Sequence, residues 1–174
     1  MLTDAPPSAQ QMACAADQVG VGPMAAVAGI MAQLAARAGI EAGADEVIVE
    51  NGGDIYLQAT EPVVIELFAG SDKLPRRLGF SLKPEDTPIS ICSSSGKMGH
   101  STSLGLCDLA TVVSKNAALA DAAATQAANL VRNAKDVEPA LNRIAAIDGV
   151  DGILIVKDDH LGMAGKLPPL VKLT

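Results

Sequence analysis

Glu46-Val47-Ile48-Val49-Glu50-Asn51-Gly52-Gly53-Asp54-Ile55-Tyr56-Leu57 decides how this chain folds. Two β-rich runs flank Asn51-Gly52-Gly53-Asp54, and Asn-Gly is the strongest short-range signal for a hairpin turn. A hairpin makes its two strands antiparallel. Upstream, Gly20-Val21-Gly22-Pro23 is a turn that delivers an Ala-rich helix running to about Ala42 and stopping at Gly43. Pro near its first position costs nothing, because that N–H has no helical partner. A shorter helix is expected over Ala9–Val19, after a loose lead-in over residues 1–8.

Downstream of the hairpin, Val63–Phe68 and Gly79–Leu82 are β-rich, separated by the polar connection Ser71–Leu78. Lys83–Pro88 is a turn. Ile89–Cys92 is a strand that enters a Ser/Gly-rich loop reaching Gly105. Leu109–Val113 is a strand, and Asn116 is a plausible N-cap for a second Ala-rich helix to about Arg132. Val137–Ile147 fits a shorter helix, Gly152–Val156 a strand and His160–Met163 a last strand. Lys166–Thr174 is a Pro-interrupted tail. This order does not alternate as a doubly wound parallel sheet would. The expected fold is α+β: a mainly antiparallel sheet including 46–50, 55–59 and 109–113, with the helices near 23–42 and 117–132 packed on one side through their alanines.

Composition excludes several function classes. The chain has 174 residues, 13 Lys+Arg against 20 Asp+Glu, and a formal charge of −7. That balance lacks the basic face that nucleic acid needs. Tyr56, Phe68 and Phe80 are the whole aromatic complement, too few for a base-stacking platform. The most apolar window, Val19–Ile40, carries Gln33, Arg37 and several glycines, so no membrane span is expected. The opening Thr3-Asp4-Ala5-Pro6-Pro7 has no signal-peptide character. Cys14, Cys92 and Cys107 are odd in number and lack CxxC spacing, so a reducing, cytoplasmic compartment is expected.

Three segments are candidates for chemistry. Asn51, Gly52, Gly53 and Asp54 read either as a plain turn or as a place where backbone approaches a ligand, with Asp54 accepting from it. Cys92-Ser93-Ser94-Ser95-Gly96-Lys97-Met98-Gly99-His100-Ser101-Thr102-Ser103-Leu104-Gly105 offers many donors for an anion, with Lys97 as a point charge. It is not a Walker A loop. Those donors are expected to favour the Cys92 thiolate, against the alternative of a buried strand cysteine; Cys14 and Cys107 read as small buried hydrophobes. On the second Ala-rich helix, Asp121, Thr125 and Asn129 share one face at i, i+4 and i+8. That face is either a solvent stripe or a place for a hard cation beside substrate phosphates. His160, after two aspartates, reads as a solvated turn residue.

Taken together the segments resemble the ApbE-like superfamily, whose best-known members are FAD:protein FMN transferases. There a Gly-Gly-Asp follows a central strand and an Asp-Ala-x-Ala-Thr on a helix binds Mg²⁺; here these look like Gly52-Gly53-Asp54 and Asp121-Ala122-Ala123-Ala124-Thr125. The likeness is closer to an uncharacterised branch carrying the patterns that stand here at Val21–Gly29, Val49–Ile55 and Cys92–Ser101. That resemblance implies a single ApbE-like domain over 1–174, lacking strands that members usually carry before the first helix. It implies a Mg²⁺-dependent enzyme or binder acting on FAD, FMN or another diphosphate-bearing small molecule. Asp121 and Thr125 would hold the metal. Asn51, Gly52, Gly53, Asp54, Ser93, Ser94, Ser95, Gly96, Gly99 and Ser101 would meet the cofactor, with His100 and Cys92 as catalytic groups. The transferases' opening Lys-Gly is replaced by Pro23-Met24-Ala25, and their His-x-Ile-Asp-Pro has only Gly99-His100-Ser101 as a counterpart. The alternative is a non-flavin accessory protein in sulfur mobilisation for homocysteine synthesis, using Cys92 and a sulfur-metabolism protein partner. A homo-oligomer is a further expectation.

Overall fold

The computed structural model describes residues 4–70, 77–96 and 104–173. Helix α1 spans Pro7–Val19 and ends on Gly20, whose left-handed backbone lets its N–H cap Ala16 O. A 3₁₀ turn, Pro23–Ala26, leads into helix α2, Val27–Glu41. Strands β1, Val47–Asn51, and β2, Asp54–Gln58, form the expected hairpin. They are followed by β3, Val63–Leu67, β4, Leu78–Leu82, β5, Ile89–Ser94, and β6, Leu109–Ser114. Helix α3, Ala117–Leu130, starts at Asn116, whose side chain accepts from Leu119 N. Helix α4, Val137–Ala145, and strands β7, Val150–Lys157, β8, His160–Gly165, and β9, Leu170–Lys172, complete the order.

All five neighbouring pairs in the six-stranded main sheet, β1-β2-β5-β6-β7-β8, are antiparallel. Alternation along each strand divides its side chains between two cores. Cys92, Ala110, Val112, Ile153 and Ile155 point to the helices and pack with the alanines of α3. Leu57, Ile89, Ile91, Leu109, Val113, Leu154 and Val156 point the other way, onto Leu67, Phe80 and Leu82 of a second sheet, β3-β4-β9. The molecule therefore has three layers: helices, main sheet, small sheet.

The antiparallel sheet and the one-sided helices follow the sequence expectation. The second sheet is a finding beyond it. Its third strand, β9, lies in the Pro-interrupted tail and pairs with Leu78–Phe80, a long-range pairing that local pattern cannot announce. β5 also runs to Ser94, two residues into the Ser-rich segment. Pro23–Glu41 is, by length and composition alone, apolar enough to cross a membrane. This departs from the expectation that no stretch would be. In the fold it is the helix that packs Ile30, Ala32 and Ala36 inward.

Helix α3 is buried along nearly its whole length because alanine lets its neighbours close in. The tightest approach is at Gly29 of α2. A Cβ there would collide with Ala117 O and lie 2.8 Å from Asp121 Cβ. Gln33, also buried on α2, accepts from Ala117 N at 2.9 Å and satisfies a donor at the α3 N-terminus.

Two glycines of one helix should therefore respond oppositely to alanine. Gly29→Ala is expected to lose about 1–3 kcal/mol to overpacking, despite the helix-propensity gain of about 1 kcal/mol. Gly39→Ala, whose added Cβ would meet Val47 Cγ2 at an ordinary 3.5 Å, is expected to be neutral or stabilising. Urea unfolding of the two variants checks the contrast.

Candidate functional site

The β1–β2 turn needs glycine at both central positions. Gly52 has φ +66° and Gly53 φ +100°, backbone that side-chain-bearing residues rarely adopt. Glu50 Oε1 accepts from Gly53 N at 2.7 Å, and Gly53 O accepts from Ser93 N at 3.1 Å. Asn51 Nδ2 donates to Ala28 O at 3.3 Å, tying the turn to α2. The hairpin tip, the end of β5 and the start of α2 thus form one connected region.

Asp54 opens β2 opposite Cys92 of β5 and shares its helix-facing side. It is 6% exposed, and its Oδ1 has no hydrogen-bond partner. Burial, then the charge of Asp121, raises its pKa to about 8, against lowering by Cys92 and the Ser93 N–H. Asp121 comes from α3. Its Oδ2 accepts from Gly29 N at 2.8 Å. Burial raises its pKa to about 6, opposed by the Gly29 and Ala28 N–H groups. The two carboxyls interact, so they titrate as a pair. Thr125, one turn on, is half-buried.

Of the two readings of Cys92, the structure shows the buried strand cysteine and not the thiolate. It is wholly buried, its sulfur 3.2 Å from Ser90 Oγ and 3.7 Å from Ala117 O. Burial, then the charges of Asp54 and Asp121, push its pKa well above the ordinary thiol value. A thiolate is disfavoured here, because the side chain points into the helix-facing core beside two carboxyls. Cys107 is buried as expected, whereas Cys14 is exposed on α1.

The serines are committed to the fold. Ser93 Oγ lies 2.9 Å from Thr111 Oγ1, and Ser95 Oγ donates to Cys107 O at 3.4 Å. Gly96 N donates to Cys107 O at 2.8 Å. Ser94 is buried at the end of β5. Asn129 Oδ1 accepts from Leu104 N at 2.6 Å, so the far end of this segment is fastened to α3. Lys97, Gly99, His100 and Ser101 lie outside the described residues. His160 is exposed and bonds Asp159 Oδ1 at 2.8 Å, as a solvated turn residue does.

A cavity of about 400 Å³ opens beside this region, between the two sheets. Its walls are Ile55, Ile91 and Leu109 of the main sheet and Ile65 to Phe68 of the small one; Gly52, Gly53 and Ser93 to Ser95 line its polar end. Sequence reasoning missed the apolar walls, because half of them belong to a sheet it did not foresee. It also missed the Gly29 and Ala28 donors to Asp121, which no local pattern marks. Among the described residues no three His, Cys, Asp or Glu side chains gather as a metal cluster.

The family described as AbpE bacteria matches residues 1–153. A UPF0280 protein of Methanococcoides burtonii is 40% identical over 171 residues, covering 98% of this chain and 72% of the relative. One of Methanocaldococcus jannaschii is 42% identical over 174 residues, covering 97% and 70%. Among solved structures, the flavin transferase ApbE from Vibrio cholerae superposes with a TM-score of 0.58 at 19% identity, over 83% of this chain and 50% of that one. The apo Pseudomonas stutzeri flavinyl transferase ApbE gives 0.55 at 15%, over 92% and 59%. The chain thus spans half to three-fifths of those structures, and the likeness shows a shared fold.

Two outcomes follow from the buried groups. Between about pH 4 and 8 the native Asp54 keeps a proton that the unfolded chain releases, so stability falls as pH rises through that window. Asp54→Asn should remove this loss: metal-free, its Tm should exceed the wild type's at pH 8.5 by roughly 3–8 °C and match it near pH 4. Thermal unfolding across pH measures both. Timed iodoacetamide labelling with mass spectrometry should find Cys14 reacting first, with Cys92 and Cys107 following only on denaturation.

Proposed function

The chain belongs to the family described as AbpE bacteria, and on that premise we propose that it binds a flavin nucleotide, or another diphosphate-bearing ligand, together with Mg²⁺. The observation that carries this is a convergence. The Gly52–Gly53 turn and Ser93 to Ser95 line one cavity of suitable size, about 400 Å³, and the same turn leads into Asp54, which with Asp121 is buried on the other, helix-facing side of the main sheet.

The donor set fits a hard cation. The acids offer oxygen, the orphaned Asp54 Oδ1 wants a positive partner, and the Cys92 sulfur is buried against Ser90 and Ala117. Asp121 and Thr125, one helical turn apart, would hold Mg²⁺. Bound there, the ion would supply charge neutralisation for a diphosphate. Without it, Glu50, Asp54 and Asp121 would repel phosphate. The chain's own contribution is positioning. Glu50 fixes the Gly53 N–H and holds the turn open to close approach. Ile55, Ile65, Leu67, Ile91 and Leu109 exclude water from a planar ring, and Phe68 stands exposed at the mouth. Asn51, Gly52, Gly53, Ser93 to Ser95, Gly96, Gly99 and Ser101 are the ligand-facing positions in this reading. His100 serves as acid/base in a transferase-like reaction.

The sulfur-handling alternative gains nothing from the surroundings of Cys92. A thiol wholly buried and pushed up in pKa is a poor persulfide carrier.

FAD, FMN and ATP titrated by thermal shift and absorbance, each with and without Mg²⁺, test the proposal. A flavin nucleotide with Mg²⁺ should stabilise the native protein by about 2.7 kcal/mol at a hundredfold excess over Kd, and the shift should vanish with EDTA. No shift from any of the three with Mg²⁺ present would contradict it.

A further inference from the structure

The same region carries more than a helix-borne metal pair. We infer that Asp54 is itself a ligand of the cation, so that the ion is shared between strand β2 and helix α3 and is bound before any nucleotide arrives. This rests on the reading above for Asp121 and extends it to a residue on a different element.

Three observations carry it. Asp54 is 6% exposed, and its Oδ1 stands without a hydrogen bond. A buried carboxylate oxygen left unpaired is costly, and native folds rarely keep one without a role. Second, its direction is set: Asp54 pairs with Cys92, and the Cys92 sulfur reaches Ala117 O on α3 at 3.7 Å. The Asp54 side of the strand therefore faces the first turns of the helix that bears Asp121. Third, one peptide segment joins the two acids' supports. Asn51, at the other foot of the turn, donates to Ala28 O, and the next residue, Gly29, donates to Asp121 Oδ2. These bonds hold the hairpin tip and α3 against the same stretch of α2.

Among the described residues no lysine, arginine or histidine forms an ion pair with either acid. Among the described residues the positive partner is missing, and a bound cation would supply it. Gly29 N–H takes Asp121 Oδ2, and Asp54 Oδ1 is left as an open acceptor. One oxygen from each carboxylate with the Thr125 hydroxyl would supply part of the octahedral shell that Mg²⁺ or Mn²⁺ completes with water or phosphate oxygens.

Mn²⁺ titration of the full chain, followed by electron paramagnetic resonance without nucleotide, tests the assignment. Wild type should bind one Mn²⁺ that Mg²⁺ displaces. Asp54→Asn and Asp121→Asn should each weaken it by about tenfold or more, while metal-free thermal unfolding shows both variants folded. Asp54→Ser repeats the test if the amide variant fails to fold. Binding by Asp54→Asn within about twofold of wild type, or no binding by wild type, would overturn the inference. A parallel FAD absorbance titration separates the two claims. Mn²⁺ loss on substitution with no FAD binding keeps the cation site and removes the flavin reading. FAD binding with Mn²⁺ affinity indifferent to residue 54 does the reverse.

Discussion

The bond from Gly29 N to Asp121 Oδ2 is the contact on which the rest depends. It forms only because Gly29 has no side chain: a Cβ would occupy the space taken by Ala117 O and Asp121 Cβ. Helix α3 is made of alanine along the same contact, so two helices meet nearly backbone to backbone. That closeness brings a carboxylate from the first turns of a helix to the helix-facing side of the main sheet. There it meets Asp54, presented by a turn that two positive-φ glycines make possible.

The arrangement sets two charges of one sign in a place with little water. Asp54 and Asp121 both have raised pKa values, chiefly through burial. Such a pair lowers the stability of the metal-free fold as pH rises from about 4, and a divalent cation bound there would remove that cost by displacing the protons. Folding alone would prefer apolar side chains at such a place. The same charges explain why Cys92, next to Asp54, is the wrong environment for a thiolate.

Much of the fold was legible in the chain. Val47–Asn51, the turn and Asp54–Gln58 announced themselves through β-branched residues and Asn-Gly, and Asn116 with the alanines after it announced α3. The small sheet was not legible as a layer, because β9 pairs with β4 across roughly ninety residues of sequence and sits among prolines. The resemblance pointed to Asp54 and Asp121, and the structure puts them in one region. It could not show that Asp54 is buried with an unpartnered oxygen, nor that Cys92 turns toward the helices. Strand parity decides that: Ser93 faces the small sheet with Thr111, and Cys92, one residue earlier, faces the other way.

The central claim is that an oxygen-lined cation site lies between Asp54 and Asp121 beneath the hairpin turn. Anomalous diffraction from crystals of the chain soaked in Mn²⁺ tests it most directly. The account predicts one strong peak about 2.1 Å from an oxygen of each carboxylate, sharpened when FAD is added. Peaks confined to exposed acids at the surface, with Asp54 Oδ1 still unpartnered, would contradict it.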